Sequence, residues 1–85
     1  MYLVRVTDKW INAANLDGIR FIHLEDDTLK LDFPWSSVEI NFETEEDALK
    51  TFNDILTSPR PNIIVLEKKE GGYVRSTINK LKKVV

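Results

Sequence analysis

The single histidine of the chain is followed by acidic residues at every second position. His23, Glu25 and Asp27 have the spacing that puts side chains on one face of a strand, and imidazole and carboxylate groups are common metal ligands. Asp27, however, falls in the turn that should follow this strand, and the chain has no second histidine to complete a ligand set. Charged residues at this spacing are typical of a solvated strand face. We therefore predict neither a metal nor another cofactor here.

Acidic residues cluster at two further places, where they could in principle supply acid–base catalysis. The pair Asp26-Asp27 forms a predicted turn, and the acids of residues 43–47 begin a predicted helix, where negative charge stabilises the helix end. The chain contains no cysteine, which removes thiolate nucleophiles, disulfides and cysteine-bound metals. It also lacks a nucleophile elbow and a phosphate-binding glycine loop. These observations predict a non-enzymatic protein with no catalytic residue and no small-molecule substrate.

Positive charge is concentrated at the C-terminus. Residues 1–67 carry six basic and 13 acidic side chains, a net charge of −7, whereas residues 68–85 carry six basic side chains and one acid, a net charge of +5. Such a segment could contact nucleic-acid phosphates, with a tyrosine stacked on a base, or it could complement the acidic body of the same protein or of a partner. The candidate contact residues are Lys68, Lys69, Tyr73, Arg75, Lys80, Lys82 and Lys83. The overall isoelectric point of about 5.3 argues against a nucleic-acid-binding domain.

The elements that position these groups begin with a run of strands. Apolar and polar residues alternate with a period of two, which favours strands, in residues 2–7, 28–33 and 38–42. Residues 19–25 predict a further strand whose apolar residues lie on both faces, so this strand is covered on both sides or contains a bulge. Short turns separate the segments 19–25, 28–33 and 38–42, which predicts an antiparallel meander. Residues 12–18 are rich in Asn, Asp and Gly and predict a loop or a single helical turn.

The hydrophobic period then changes to about 3.6 residues. Thr44 is a favourable N-cap, and the residues after it place an apolar stripe on one helix face: Ala48, Leu49, Phe52, Ile55 and Leu56. The prolines of Ser58-Pro59-Arg60-Pro61 end this helix. Residues 62–66 predict a strand that is buried on both faces or lies at an interface, and residues 73–76 predict a strand that pairs back after a Gly-Gly turn. The last residues could form a short helix or continue the strand.

Three apolar residues are candidates for an interface. Trp35 lies in the predicted turn 34–37, where it could be exposed to a partner or fold over the end of the core. Ile63 and Val65 belong to the β-branched run that could lie at an interface.

Three of these patterns together also suggest a family. Trp10-Ile11-Asn12, the pair Ile19 and Ile22, and the helix start Thr44-Glu45-Glu46-Asp47-Ala48 resemble short, functionally uncharacterised proteins of Gram-positive bacteria and their phages or mobile elements. The resemblance covers about residues 1–56. Its motifs are strand and helix-cap signals, so it implies no activity and assigns no site residue.

The sequence as a whole predicts a single α+β domain over residues 1–85. We expect an antiparallel meander of about four strands with one amphipathic helix packed on it, followed by a C-terminal strand or hairpin and a possible short helix. No apolar run approaches the length of a membrane span and no secretory signal is recognised, so we expect a soluble, cytoplasmic protein that does not act at membranes. The predicted function is a small interaction module that acts through homo-oligomerisation or a protein partner. Nucleic-acid binding through the basic C-terminal segment is the alternative.

Overall fold

The computed structural model describes residues 1–57 and 63–76. Within them, the segments with alternating apolar residues form strands, and the segment with a hydrophobic period of about 3.6 residues forms a helix. The chain is an α+β protein, as its hydrophobic periods predict. Its elements are β1 (Tyr2–Val6), β2 (Ile11–Asn15), a 3-10 turn (Leu16–Gly18), β3 (Phe21–Glu25), β4 (Thr28–Asp32), β5 (Ser37–Asn41), α1 (Glu45–Thr57), β6 (Ile63–Lys69) and β7 (Gly72–Ser76).

The first sheet has the strand order β2-β1-β6-β7. β1 pairs antiparallel with β2 on one side and parallel with β6 on the other, with Leu3 in register with Ile64. β6 and β7 form an antiparallel hairpin around the predicted Gly-Gly turn. The parallel pair joins strands that are distant in sequence, so no local pattern could have indicated it.

The second sheet is the antiparallel meander β3-β4-β5. Two residues connect β3 to β4, and Asp26 there adopts a left-handed φ of 55°. Aspartate tolerates that conformation better than most residues. The meander comprises three of the described strands rather than the roughly four that the sequence predicts. The first predicted strand, β1, belongs to the other sheet.

The two sheets join where the end of β5 meets β7, a region that we call the closed side (residues 41–43 and 72–73). Phe42 forms a β-bridge with Tyr73, and the Glu43 N–H donates a hydrogen bond of 2.9 Å to the Tyr73 carbonyl oxygen. Gly72 has a φ of 137°, and a Cβ atom built on it would lie 2.7 Å from the Phe42 carbonyl carbon. Only glycine fits this approach.

Helix α1 packs over the meander and β7. It begins as predicted, because the Thr44 hydroxyl accepts a hydrogen bond of 3.2 Å from the Asp47 N–H. Ala48 and Thr51 are fully buried, whereas Leu49 and Leu56 are exposed, so the covered stripe is narrower than the sequence predicts. The residues predicted to end the helix lie outside the described residues.

The main core fills the space between the two sheets and the helix. It is formed by side chains such as Leu3, Leu31, Phe42 and Leu66. Ile64, Val65 and Leu66 are all buried, so β6 is covered on both faces, as one of the two predictions for this run requires.

Strand β2 differs from the sequence-based expectation. Residues 12–15 are part of a strand rather than a loop, and only Leu16–Gly18 form the single helical turn. Asn and Ala have low intrinsic strand preference, and the pairing with β1 over the whole of β2 overrides it.

Candidate functional site

A cleft opens where β2 faces the turn after β4. Its volume is about 470 Å³, and it separates the edge of the first sheet from the end of the second. We call this region the open side. The cleft is lined by Arg5, Asn12, Ala13, Ala14, Asn15, Asp17, Gly18, Phe33, Trp35, Ser36 and Val38.

Trp35 forms one wall of the cleft and is 74% exposed. Its ring stacks on Phe33, with ring centroids 5.5 Å apart and planes inclined by 18°. The underlying Phe33 is buried in the core, so the indole is held from below while its outer surface faces solvent. The turn therefore presents Trp35 outward, which is the first of the two arrangements that its position in the sequence allowed.

Arg5 brings a positive charge to the opposite wall. Its guanidinium lies 5.7 Å from the centroid of the Trp10 ring and donates a hydrogen bond of 3.4 Å to the Asn12 side-chain oxygen. No carboxylate of the described residues pairs with it. The other charged group of the cleft, Asp17, lies 3.3 Å from the Met1 ammonium. The cleft thus carries one positive charge that lacks an ionic partner within residues 1–57 and 63–76.

Sequence reasoning missed Arg5. A single arginine in an alternating strand reads as an ordinary outward-facing residue. Its role depends on the chain reversal at Thr7–Trp10 that brings Trp10 and Asn12 beside it.

The edge of β2 borders the same cleft. The Thr7 N–H donates to the Trp10 carbonyl at 2.9 Å, and the Leu16 N–H donates to the Met1 carbonyl at 2.8 Å. Because hydrogen-bonded pairs alternate along an antiparallel ladder, Asn12 and Ala14 also bond to β1, and the backbone groups of Ile11, Ala13 and Asn15 point away from it. In the part of the chain that the structure describes, no strand pairs with these outward groups.

The β2 edge also lacks the protection that exposed strand edges usually carry. Natural proteins place charged residues or proline on such edges because unpaired backbone groups attract other strands. β2 has neither, whereas β3, the edge strand of the other sheet, carries His23 and Glu25. The open side therefore combines an unprotected strand edge, an exposed tryptophan and an arginine.

The outer face of the first sheet adds an apolar surface next to this edge. Tyr2, Ile11 and Ile63 are exposed there, and Tyr2 is in register with Ile63. Val65 does not share this exposure. It is 3% exposed in a second buried cluster with Val4 and Val6, so of the two predicted interface residues in β6 only Ile63 offers its side chain to a partner.

Three basic residues of the C-terminal segment lie within the described residues, and all three contact the protein itself: Lys68, Lys69 and Arg75. The Lys68 ammonium lies 5.1 Å from the centroid of the Tyr73 ring. Tyr73 is 8% exposed as part of the main core, so it does not present the free ring face that stacking on a base requires. Lys69 lies 2.9 Å from the Glu67 carboxylate, and this hydrogen bond raises the pKa of Lys69 above its ordinary value.

Arg75 is held against the helix. Its guanidinium donates hydrogen bonds to the Asp54 carboxylate at 2.8 Å and to the Thr51 hydroxyl at 3.4 Å, while its backbone N–H donates to the Asp47 carboxylate at 3.1 Å. Arg75 thus pairs with acidic residues of the same protein, which is one of the two arrangements that the sequence allowed for the basic segment. The other predicted contact residues, Lys80, Lys82 and Lys83, lie outside the described residues.

The histidine lies on a polar hairpin surface at the other side of the second sheet. His23 is 3.4 Å from Glu25, and both side chains are exposed. Within residues 1–57 and 63–76, no group of three or more His, Asp or Glu side chains is placed to hold a metal ion.

Helix α1, the helix of the described residues, is too short and too polar to cross a bilayer.

No protein-family model, curated protein or solved structure matches the chain. The resemblance to short proteins of Gram-positive bacteria and their phages therefore stays a prediction. The chemistry of the open side is what indicates a function.

That chemistry is suited to binding an extended chain. An unpaired strand edge offers alternating N–H and C=O groups, which an added strand can satisfy. An exposed tryptophan offers a large contact area at low entropic cost, and a guanidinium offers a site for a carboxylate.

Proposed function

We propose that this chain is a non-enzymatic interaction module that binds an extended protein segment along the edge of β2. The observation that carries the proposal is the uncharged edge of β2, which no strand in residues 1–57 and 63–76 pairs with, directly beside the exposed Trp35. The bound segment adds a strand to the first sheet and places a side chain in the cleft.

The backbone supplies affinity in this mode, and the cleft supplies selectivity. The outward groups of Ile11, Ala13 and Asn15 bond to the added strand. Trp35 covers an apolar side chain of the bound segment, and Arg5 favours a segment with a carboxylate near that position. The module is therefore expected to prefer acidic extended segments.

Nucleic-acid binding has less support as the function. Arg75 and Lys69 are paired with carboxylates, and Tyr73 is buried.

A displayed library of random peptides tests the proposal. Peptides selected on the intact chain should be enriched in acidic residues, and they should shift the NMR signals of the Ile11, Ala13 and Asn15 amides. Trp35→Ala should weaken binding of a selected peptide by about tenfold, because the anchoring ring is lost. The free energy of unfolding should change by less than about 1 kcal/mol, because most of the ring is already in water.

Phe21→Ala is the matched control. Phe21 is another exposed aromatic residue, at 53%, and it lies in β3 outside the cleft lining. It should leave peptide binding unchanged. Equal losses for the two variants, or peptide-induced shifts confined to residues outside β2 and the cleft, would argue against this site.

A further inference from the structure

We propose that the segment bound at this edge is β2 of a second copy of the chain, paired antiparallel about a two-fold axis through Ala13. The inference rests on the proposed function, because it names an occupant of the same strand edge. A second copy would use the backbone groups of that edge alone, since β2 carries no carboxylate for Arg5. Three features of the described residues select this occupant and its register.

The first feature is the pattern of outward backbone groups. In a two-fold pairing centred on Ala13, Ala13 faces its own symmetry mate, and Ile11 faces Asn15 of the second copy. These are the three residues whose backbone groups point away from β1. Each such pair exchanges two hydrogen bonds, so the pairing satisfies every outward group of β2 in both copies. Shifting the centre by one residue, to Asn12 or Ala14, leaves Asn15 or Ile11 without a partner in β2 of the second copy.

The second feature is the charge beyond each end of the strand. Lys9 precedes β2 by two residues and Asp17 follows it by two residues, so the register centred on Ala13 brings Lys9 and Asp17 of the second copy to the same end of the pairing. Symmetry repeats this pair at the other end. Lys9 is exposed, and it forms no ion pair with the described residues. A pairing centred on Asn12 or Ala14 would put Lys9 opposite Asn15 or Ile19 of the second copy instead. The backbone pattern and the charges thus select the same register independently.

The third feature is the side chains of β2 itself. The residue at the two-fold axis is an alanine, so the symmetry mates meet without steric conflict, and no like charges face each other within the paired strands. The pairing also extends each four-stranded sheet into one continuous sheet. Its outer face brings together the exposed Tyr2, Ile11 and Ile63 of both copies.

Ala13→Pro tests the pairing at its centre. The Ala13 N–H points away from β1, so proline removes a donor of the dimer without removing a bond of the β1–β2 ladder, and proline is tolerated on edge strands for this reason. We expect the dissociation constant of the dimer, measured by sedimentation equilibrium, to rise at least about tenfold because two central hydrogen bonds are lost. Ala13→Ser keeps the N–H and is the matched control, which should dimerise as the unchanged chain does.

Amide hydrogen exchange locates the interface. The Ile11, Ala13 and Asn15 amides should become protected as the protein concentration rises, whereas the exposed turn amides of Asp26 and Asp27 should exchange at a constant rate. In Ala13→Pro, the Ile11 and Asn15 amides should stay unprotected over the same concentration range.

Charge reversal tests the register and does not depend on the proline variant being folded. Lys9→Glu and Asp17→Lys each put like charges together at both ends of the pairing, and each should weaken the dimer by about three- to tenfold at low salt. The double variant restores opposite charges and should bring the dissociation constant back to within about twofold of the unchanged chain. Additive weakening in the double variant would overturn this register.

A chain that remains monomeric at high micromolar concentration would overturn the dimer. So would a dimer that is indifferent to Ala13→Pro and shows no protection at Ile11, Ala13 and Asn15. The proposed function is judged separately, because selected peptides would still bind a monomer through the same three amides. A monomer that binds such peptides refutes only this inference, and a chain that neither dimerises nor binds them refutes both.

Discussion

The two places where the sheets of this protein approach each other are built in opposite ways. On the closed side, Phe42 and Tyr73 form a backbone bridge, and Gly72 allows the strands to touch. On the open side, β2 and the turn carrying Trp35 remain apart, and a cleft of about 470 Å³ lies between them. The difference separates two roles within one small fold. Changes on the closed side should alter the free energy of unfolding, and changes on the open side should alter binding.

The closed side gives the largest expected effect. Gly72→Ala forces a side chain into a positive φ and puts its Cβ atom within 3 Å of backbone atoms of residues 41–43, which cannot move away as a flexible side chain can. We expect the free energy of unfolding to fall by about 3 kcal/mol or more, measured by urea denaturation.

Gly71→Ala is the control for this variant. A Cβ atom at Gly71 would meet only the Glu43 side chain, at 3.1 Å from its Cγ atom, and that side chain is exposed and can rotate. Its cost should be less than about 1 kcal/mol. If the two alanine variants unfold at the same urea concentration, the contact at Gly72 does not define the closed side.

The ion pair between α1 and β7 gives the next effect. Asp54→Ala removes the carboxylate that pairs with the half-buried Arg75 guanidinium. Among the described residues, only the Thr51 hydroxyl then remains as a side-chain acceptor for Arg75, and the Arg75 Nε atom has no hydrogen-bond partner there even before the change. We expect a loss of about 1–2 kcal/mol in the free energy of unfolding, smaller than for a fully buried pair because both groups keep some contact with water.

Asn53→Ala provides the reference for that loss. It introduces the same residue at the adjacent, exposed helix position, so it reports the gain in helix propensity without touching Arg75. The difference between the two variants measures the ion pair. A difference near zero would mean that Arg75 does not fasten β7 to the helix, and its charge would then be free for another role.

The elements around the closed side follow from the sequence more directly than the strand pairing that defines the open side, and the reason is physical. The capped helix and the alternating strands follow from local periodicity, which the sequence displays directly. The Gly-Gly turn likewise marks the β6–β7 hairpin. Trp35 was identified as an interface candidate because a large aromatic residue in a turn has no local structural role.

The features that define the open side depend on contacts between distant residues. The parallel pairing of β1 with β6 makes β2 an outer strand, and no local signal reports which strand lies at an edge. Residues 12–15 of β2 predict a loop or a helical turn from the sequence alone, because Asn12 and Asn15 favour turns. Two candidate residues of the basic segment depend on distant contacts in the same way. Arg75 and Tyr73 look available in sequence, and only the fold shows that the helix and the core engage them.

The smallest expected effect is the counterpart of Gly72→Ala on the open side. Gly18→Ala would place a Cβ atom 3.3 Å from the Trp35 Cη2 atom, with a backbone φ that any residue can adopt. Because Trp35 is mostly exposed, its ring can move by a few tenths of an ångström, so the free energy of unfolding should change by less than about 0.5 kcal/mol. The emission of Trp35, measured in a Trp10→Phe background, should nevertheless shift because the ring moves relative to Phe33. A destabilisation as large as that of Gly72→Ala would mean that the wall of the cleft is as rigid as the junction on the closed side, and the separation of the two roles would not hold.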